Sequence, residues 1–279
     1  MPDTFPALSG GARELLLSLH EYRRRFRAAA DGYDGSTGRA AELEQVMADY
    51  SVFVTDERGG ALLTELERDG SAGVPDLMAD LRAESARCAA VMEKYRALKL
   101  LEGRAESAGY FANVESCIEQ EFGAVELTPA SNVLLVGSGS FPMTLLNLAE
   151  RTGASAVGVD VDAEAVDLGR RVVQLLGSGL DITLENVPAE DLPFTRRATH
   201  VIFSSTVEAK YDLLHRLHPS TRDDVVVAMR FGNGLKSLFN YPMQEVDPER
   251  WHLIETIRRR DQVFDIAVYV KQLPGREVR

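Results

Sequence analysis

From residue 132 onward, short apolar runs alternate with helix-like segments, and this alternation restricts the fold more than any other feature of the chain. Val133–Val136 reads as a strand with Met143–Arg151 as its helix, and Ala156–Val159 as a second strand followed by the helix Ala163–Leu176. Asp181–Leu184, His200–Ser204 and Asp224–Met229 read as three more strands, with the helix Lys210–Leu217 between the last two. Strands separated by helices need crossovers, and crossovers give a parallel sheet covered by helices. Two late runs, His252–Ile257 and Asp265–Val270, flank only the short charged turn that begins Arg258-Arg259-Arg260. Such a connection is too short for a crossover, so it predicts an antiparallel hairpin at one edge. The expected fold class is α/β, a doubly wound sheet of seven strands.

Residues 1–126 have a different character. Leu-, Ala-, Glu- and Arg-rich runs with helical spacing are interrupted only at breaks such as Asp34-Gly35-Ser36-Thr37-Gly38, Gly59-Gly60 and Gly70–Pro75. Leu127–Asn132 reads as a linker. The division is therefore an all-α domain, 1–126, serving as cap and part of the substrate pocket, and an α/β domain, 127–279. A net charge of -12 opposes binding to a phosphate backbone, so no nucleic acid is expected as partner. No run approaches ~18 uninterrupted apolar residues, so no membrane span is expected. Met1-Pro2-Asp3-Thr4-Phe5 lacks the basic start and apolar core of a secretion signal. The two cysteines, Cys88 and Cys117, lie far apart in helix-like segments and suggest neither a disulfide framework nor a zinc site, which fits a reducing cytoplasm.

The first strand runs into Gly137-Ser138-Gly139, and the second ends on Asp160. Small residues after a strand let a ligand approach the backbone, and an acid about twenty residues on can accept hydrogen bonds from both hydroxyls of a ribose. The third glycine of the dinucleotide pattern is absent, because the run continues Ser140-Phe141-Pro142. The alternative is a tight turn that binds nothing. Asp162 either caps the next helix or adds a ribose contact. In the loop after the third strand, Glu185 or Asn186 is placed to read a base amine, or stands in solvent. Ser204 opens Ser204–Lys210 at the carboxyl edge of the sheet, where open α/β folds bind ligands.

Positions 77, 81, 84, 88, 91, 95 and 98 form one helical stripe, apolar except for Glu84. A carboxylate buried on such a stripe has a raised pKa and becomes a better base. If the stripe is shallow there, Glu84 instead reaches water or an arginine such as Arg87. His215 and His218 have an i, i+3 spacing without a third ligand, so a solvated helix face is expected and no metal.

Taken together, the helical first part and Leu135-Val136-Gly137-Ser138-Gly139-Ser140-Phe141-Pro142-Met143-Thr144 resemble the nicotianamine synthase-like proteins. The likeness extends to Val159–Asp162 and to Met229–Lys236, with Tyr241-Pro242 downstream, and covers about residues 75–270. The phenylalanine in the turn is most similar to the bacterial synthases of opine metallophores. The resemblance implies a Rossmann-like sheet of the S-adenosylmethionine-dependent type, with Gly137, Ser138, Gly139, Pro142, Asp160, Glu185, Asn186 and Ser204 around that co-substrate. It implies Glu84 and Tyr110 as the catalytic pair, and Arg230 as the partner of a substrate carboxylate, for which its fork is suited. A homodimer is the assembly it suggests.

The activity so implied is transfer of the 3-amino-3-carboxypropyl group of S-adenosylmethionine to the amine of histidine, with release of 5′-methylthioadenosine. Nicotianamine synthase proper, an S-adenosylmethionine-dependent methyltransferase and a non-catalytic nucleoside sensor are the competing readings, because a fold alone does not choose among them.

Overall fold

A computed structural model describes residues 8–69, 73–104 and 127–272. Four helices come first: α1 (Gly10–Asp31), α2 (Ala40–Thr55), α3 (Gly59–Asp69) and α4 (Val74–Leu101). Ser9 caps α1 through its side chain, which accepts from the Ala12 N–H, and Pro75 sits in the first turn of α4, where a missing N–H costs nothing. The α/β part then runs β1 (Asn132–Val136), α5 (Met143–Thr152), β2 (Ser155–Val159), α6 (Ala163–Leu176), β3 (Ile182–Glu185), β4 (His200–Phe203), α7 (Lys210–Leu217), β5 (Val226–Phe231), β6 (Trp251–Ile257) and β7 (Asp265–Lys271). Two 3-10 turns, Pro193–Arg197 and Gly234–Leu238, are too short to carry a periodic signal in sequence.

The seven strands lie in the order β3-β2-β1-β4-β5-β7-β6. β1 to β5 pair in parallel, and β7 pairs antiparallel with both β5 and β6. The expected doubly wound sheet with a terminal hairpin is the observed one. A register shift between Leu253 and Glu255 interrupts the β6–β7 ladder.

Strand alternation divides the core. Val133, Leu135, Ile202, Ala228, Ile266 and Val268 point to one face, while Leu134, Val136, Val201, Phe203, Val227 and Met229 point to the other. Tyr211, Leu214 and Leu217 of α7 cover the second face. The first face is continuous with the buried residues of α1 to α4, including Phe26, Tyr50, Leu81 and Tyr95. The helical part therefore shares an apolar core with the sheet. Polar ties lock the two together: Tyr50 donates to the Leu238 carbonyl at 2.7 Å, and Arg82 donates to the Ser237 carbonyl. This packing lays α4 across the carboxyl ends of β1 and β2.

Candidate active site

At the end of β1 the backbone turns through two glycines in the left-handed region, Gly137 at φ 82° and Gly139 at φ 65°. L side chains rarely adopt that conformation, so the turn needs residues without a Cβ. The Gly137 and Ser138 N–H groups donate to the Val159 carbonyl at 2.9 and 3.1 Å, which ties the turn to β2. A Cβ at Gly139 would stand 1.7 Å from Oε2 of Glu93, so this glycine makes room for a carboxylate arriving from α4.

Asp160 follows β2 and braces the same turn. Its Oδ2 accepts from the Gly139 N–H at 2.9 Å, and its Oδ1 accepts from the Asp162 N–H at 3.0 Å. Asp162 caps α6, accepting from the N–H groups of Glu164 and Ala165. It also pairs with Lys94 at 2.7 Å, and Lys94 reaches Glu164 at 2.6 Å. This cluster pins α4 over the β2–α6 junction.

The space beneath α4 is a cavity of about 740 Å³, within the usual range for small-molecule sites. Ala86, Ala89, Ala90 and Glu93 form its roof, and Gly137, Gly139, Asp160 and Val161 its floor. The loop from Asn186 to Glu190, the segment around Ser204 and the α7 residues Leu213 and Arg216 complete the walls. A side chamber of about 70 Å³ is lined by Glu93, Arg96, Ser138, Phe141, Pro142, Thr144, Ser204 and Arg230, among others. Glu93, Gly137 and Ser204 border both spaces.

Glu93 is the chemically unusual group. Its Oε2 accepts from the Ser140 N–H at 3.1 Å. Burial, together with repulsion from Asp160, pushes its pKa up to about 8, despite the opposing N–H groups of Ser140 and Phe141 and the charge of Arg96. Two guanidinium groups line the chamber with it, Arg96 one turn further along α4 and Arg230 from β5. Arg230 is buried, donates to the Thr144 hydroxyl at 3.0 Å and lies over the Phe264 ring at 5.1 Å. Arg96 stacks on Phe141 at 4.3 Å. Lys210, also buried, fixes this corner by donating to the carbonyls of Ser205, Arg230 and Tyr241 at 3.2, 2.7 and 2.9 Å.

The structure brings Gly137, Ser138, Gly139, Pro142, Asp160, Asn186, Ser204 and Arg230 to these two spaces. Asn186 also donates its amide to the Asp160 carbonyl at 2.8 Å. Two of the candidates read from the sequence lie elsewhere. Glu185 does not line either space; its carboxylate meets Arg170 at 3.1 Å. Glu84 also lines neither. It faces α1, with Arg27 at 2.8 Å and Arg87 at 3.6 Å. The reason is helical phase: Glu93 is nine residues on, about two and a half turns, and so emerges on the opposite side of α4. Tyr110 and Cys117 lie outside the described residues. Cys88 is buried and donates to the Phe26 carbonyl. His218 packs edge-on against Trp251 at 5.2 Å. Among the described residues no group of three His, Cys, Asp or Glu side chains is placed to hold a metal ion, and no helix is long and apolar enough to cross a membrane.

Glu93 was missed because it lies off the apolar stripe. Its signal is a second stripe, Ala86, Ala89, Ala90 and Glu93, in which small residues and one acid share a face. A face of alanines leaves volume for a ligand, and the acid borders that volume.

No family model matches the chain. The L-histidine 2-aminobutanoyltransferase of Yersinia pestis is 32% identical to it over 188 residues, which is 67% of this chain and 69% of that protein. The chain belongs to the L-histidine 2-aminobutanoyltransferase family. The protein of that name from Pseudomonas aeruginosa (strain UCBPP-PA14) is 30% identical over 173 residues, 62% of this chain, and the match spans 66% of that relative, just under two thirds of its length. Membership agrees with the likeness to nicotianamine synthase-like proteins carried by the Gly137–Thr144 turn. Among solved structures, the nicotianamine synthase MtNAS in complex with MTA and tNA superposes with a TM-score of 0.74 at 12% identity, covering 92% of this chain and 98% of that one. A substituted form of MtNAS in complex with S-adenosylmethionine gives 0.71, covering 90% and 97%. At that identity the likeness speaks for the fold, helical first part included.

Proposed function

We propose that the chain transfers the 3-amino-3-carboxypropyl group of S-adenosylmethionine to the amine of histidine and releases 5′-methylthioadenosine. The observation that carries this reading is the position of Glu93. Its carboxyl group stands between a nucleoside-sized cavity and an arginine-lined chamber, with a pKa near 8. The family's name and the S-adenosylmethionine complex of the structural neighbour support the choice of substrates.

The residues present fit such a co-substrate. Asp160, held by two backbone N–H groups, offers acceptors to ribose hydroxyls at the end of β2. The glycines keep the floor open. Arg230 and Arg96 offer planar donors to carboxylates, whether of the transferred group or of the acceptor. The co-substrate supplies an activated carbon next to a sulfonium. Bond formation between the amine nitrogen and Cγ breaks the Cγ–S bond, the electron pair stays on sulfur, and the amine proton must leave.

Glu93 is the group placed to take that proton. A histidine α-amine is mostly protonated at neutral pH and cannot attack in that form. A base with a pKa near the working pH both accepts the proton and exists in the right form often enough to do so. A sulfonium beside the carboxylate favours its ionised form, so co-substrate binding arms the base. Glu84 has no such role, because its carboxylate is tied to α1. The product joins an imidazole, amines and carboxylates on one chain, which is the ligand set of a metallophore precursor.

Mass spectrometry of a reaction with S-adenosylmethionine, run with and without each histidine enantiomer, tests the reading. Methylthioadenosine and an adduct that both require histidine are expected. Release of S-adenosylhomocysteine would replace this reading by methyl transfer, and an adduct formed without histidine would replace it by nicotianamine synthesis.

A further inference from the structure

Lys94 follows Glu93 on α4 but lines neither the cavity nor the chamber. It is buried at the N-terminus of α6, where its Nζ meets Asp162 Oδ2 at 2.7 Å and Glu164 Oε2 at 2.6 Å. Tyr33, from the connection between α1 and α2, completes the cluster. Its hydroxyl donates to Glu164 Oε1 at 2.7 Å, and its ring centre lies 5.4 Å from the Lys94 Nζ. Asp162 in turn donates its N–H to Asp160, which accepts from the Gly139 N–H. Glu93 accepts from the Ser140 N–H of the same turn. Two neighbouring side chains of α4 therefore grip two adjoining pieces of the site floor.

The rest of the packing of α4 is largely apolar, against α1, α2 and the sheet. Apolar contact is non-directional, so it fixes how far a helix stands from its neighbours better than where it stands along them. Charge-assisted hydrogen bonds are directional and fix that position. We propose that Lys94 is a positioning residue for the reaction: it sets where α4 stands along the sheet, and thereby the point at which the Glu93 carboxylate meets the acceptor amine. The inference rests on the reading of Glu93 as the base, and deepens it by assigning the alignment of that base to a side chain outside the site. A displacement of about 1 Å at a reacting group can cost about 10²-fold in rate.

Turnover with S-adenosylmethionine and histidine, and equilibrium binding of 5′-methylthioadenosine, test this in the full chain. The variants are Lys94→Met, Lys94→Arg and Glu164→Gln, each also placed in a Glu93→Gln background, with circular dichroism as a check on folding. Lys94→Met is expected to lower kcat by about 30- to 100-fold while methylthioadenosine affinity stays within about threefold. Lys94→Arg, which keeps the charge, is expected to recover most of that loss. Glu164 is about half exposed, so its substitution spares the fold; a fall of about three- to tenfold in kcat is expected. In the Glu93→Gln background each substitution is expected to change the residual kcat by less than about twofold, because a base that is absent cannot be misaligned. An unchanged kcat in Lys94→Met, or the same loss in both backgrounds, overturns the assignment and leaves Glu93 as the base. If Lys94→Met does not fold, Glu164→Gln decides by the same two criteria. Full turnover in Glu93→Gln itself overturns the reading of the base, and this assignment with it.

Discussion

Replacing Glu93 by glutamine should change stability and catalysis in ways that can be separated. An ordinary glutamate titrates at 4.5, and Glu93 titrates at about 8. Below the lower value both folded and unfolded chains carry the proton, and the side chain contributes no pH dependence. Between the two values only the folded chain holds it, so stability falls as pH rises; above the upper value the loss is complete. At about 1.4 kcal/mol per pH unit, that interval sets a ceiling of about 5 kcal/mol, and water in the cavity should reduce it to about 2–3 kcal/mol. Glutamine has no proton to lose. The variant should therefore match the unsubstituted protein in urea unfolding at pH 4.5 and exceed its stability by about 2–3 kcal/mol at pH 8.5. In the same variant turnover should fall by about 10²–10⁴, the usual contribution of a positioned base, while methylthioadenosine affinity holds. Parallel stability curves for the two proteins across this pH range would refute the burial argument. Undiminished turnover would remove Glu93 from the chemistry.

Glu84→Gln is the paired control. Its partners Arg27 and Arg87 are about half exposed, so unfolding should register a loss of about 0.5–1 kcal/mol, and turnover should stay within about threefold. Gly139→Ala combines a positive φ with a Cβ 1.7 Å from Oε2 of Glu93, so it should cost about 2 kcal/mol in thermal unfolding and displace the carboxylate enough to abolish turnover. Lys210→Met removes one donor from each of three carbonyls, of which those of Ser205 and Tyr241 keep a backbone N–H; a loss of about 2 kcal/mol is expected in urea unfolding. Because one of those carbonyls belongs to Arg230, its kinetics should show a raised KM for the carboxylate-bearing substrate.

The sheet was legible because its signals are local. Each strand of the parallel part is a short apolar run bounded by turns, and the short connection before Asp265 dictated the antiparallel edge. The Gly137–Gly139 turn and Asp160 were legible for the same reason: spacing along the chain fixes their relation once β1 and β2 pair. Glu93 was not legible by that route. Its value depends on which face of α4 meets the sheet, and that is decided by packing of α4 against α1 and α2 on the other side. The apolar stripe marked the face that packs, and the acid on that stripe turned out to serve packing.

The merged core of α1 to α4 and the sheet carries a consequence for anyone wishing to trim the molecule. Tyr50, Leu81 and Tyr95 bury against the same cluster as Leu135 and Ile202. A fragment starting near residue 127 would lose the roof of its binding space and bare oily surface that no remaining segment can cover, a recipe for clumping in solution. Nor can the helices and the sheet swing apart like jaws to admit a guest, since parting them would drag that shared interior into water.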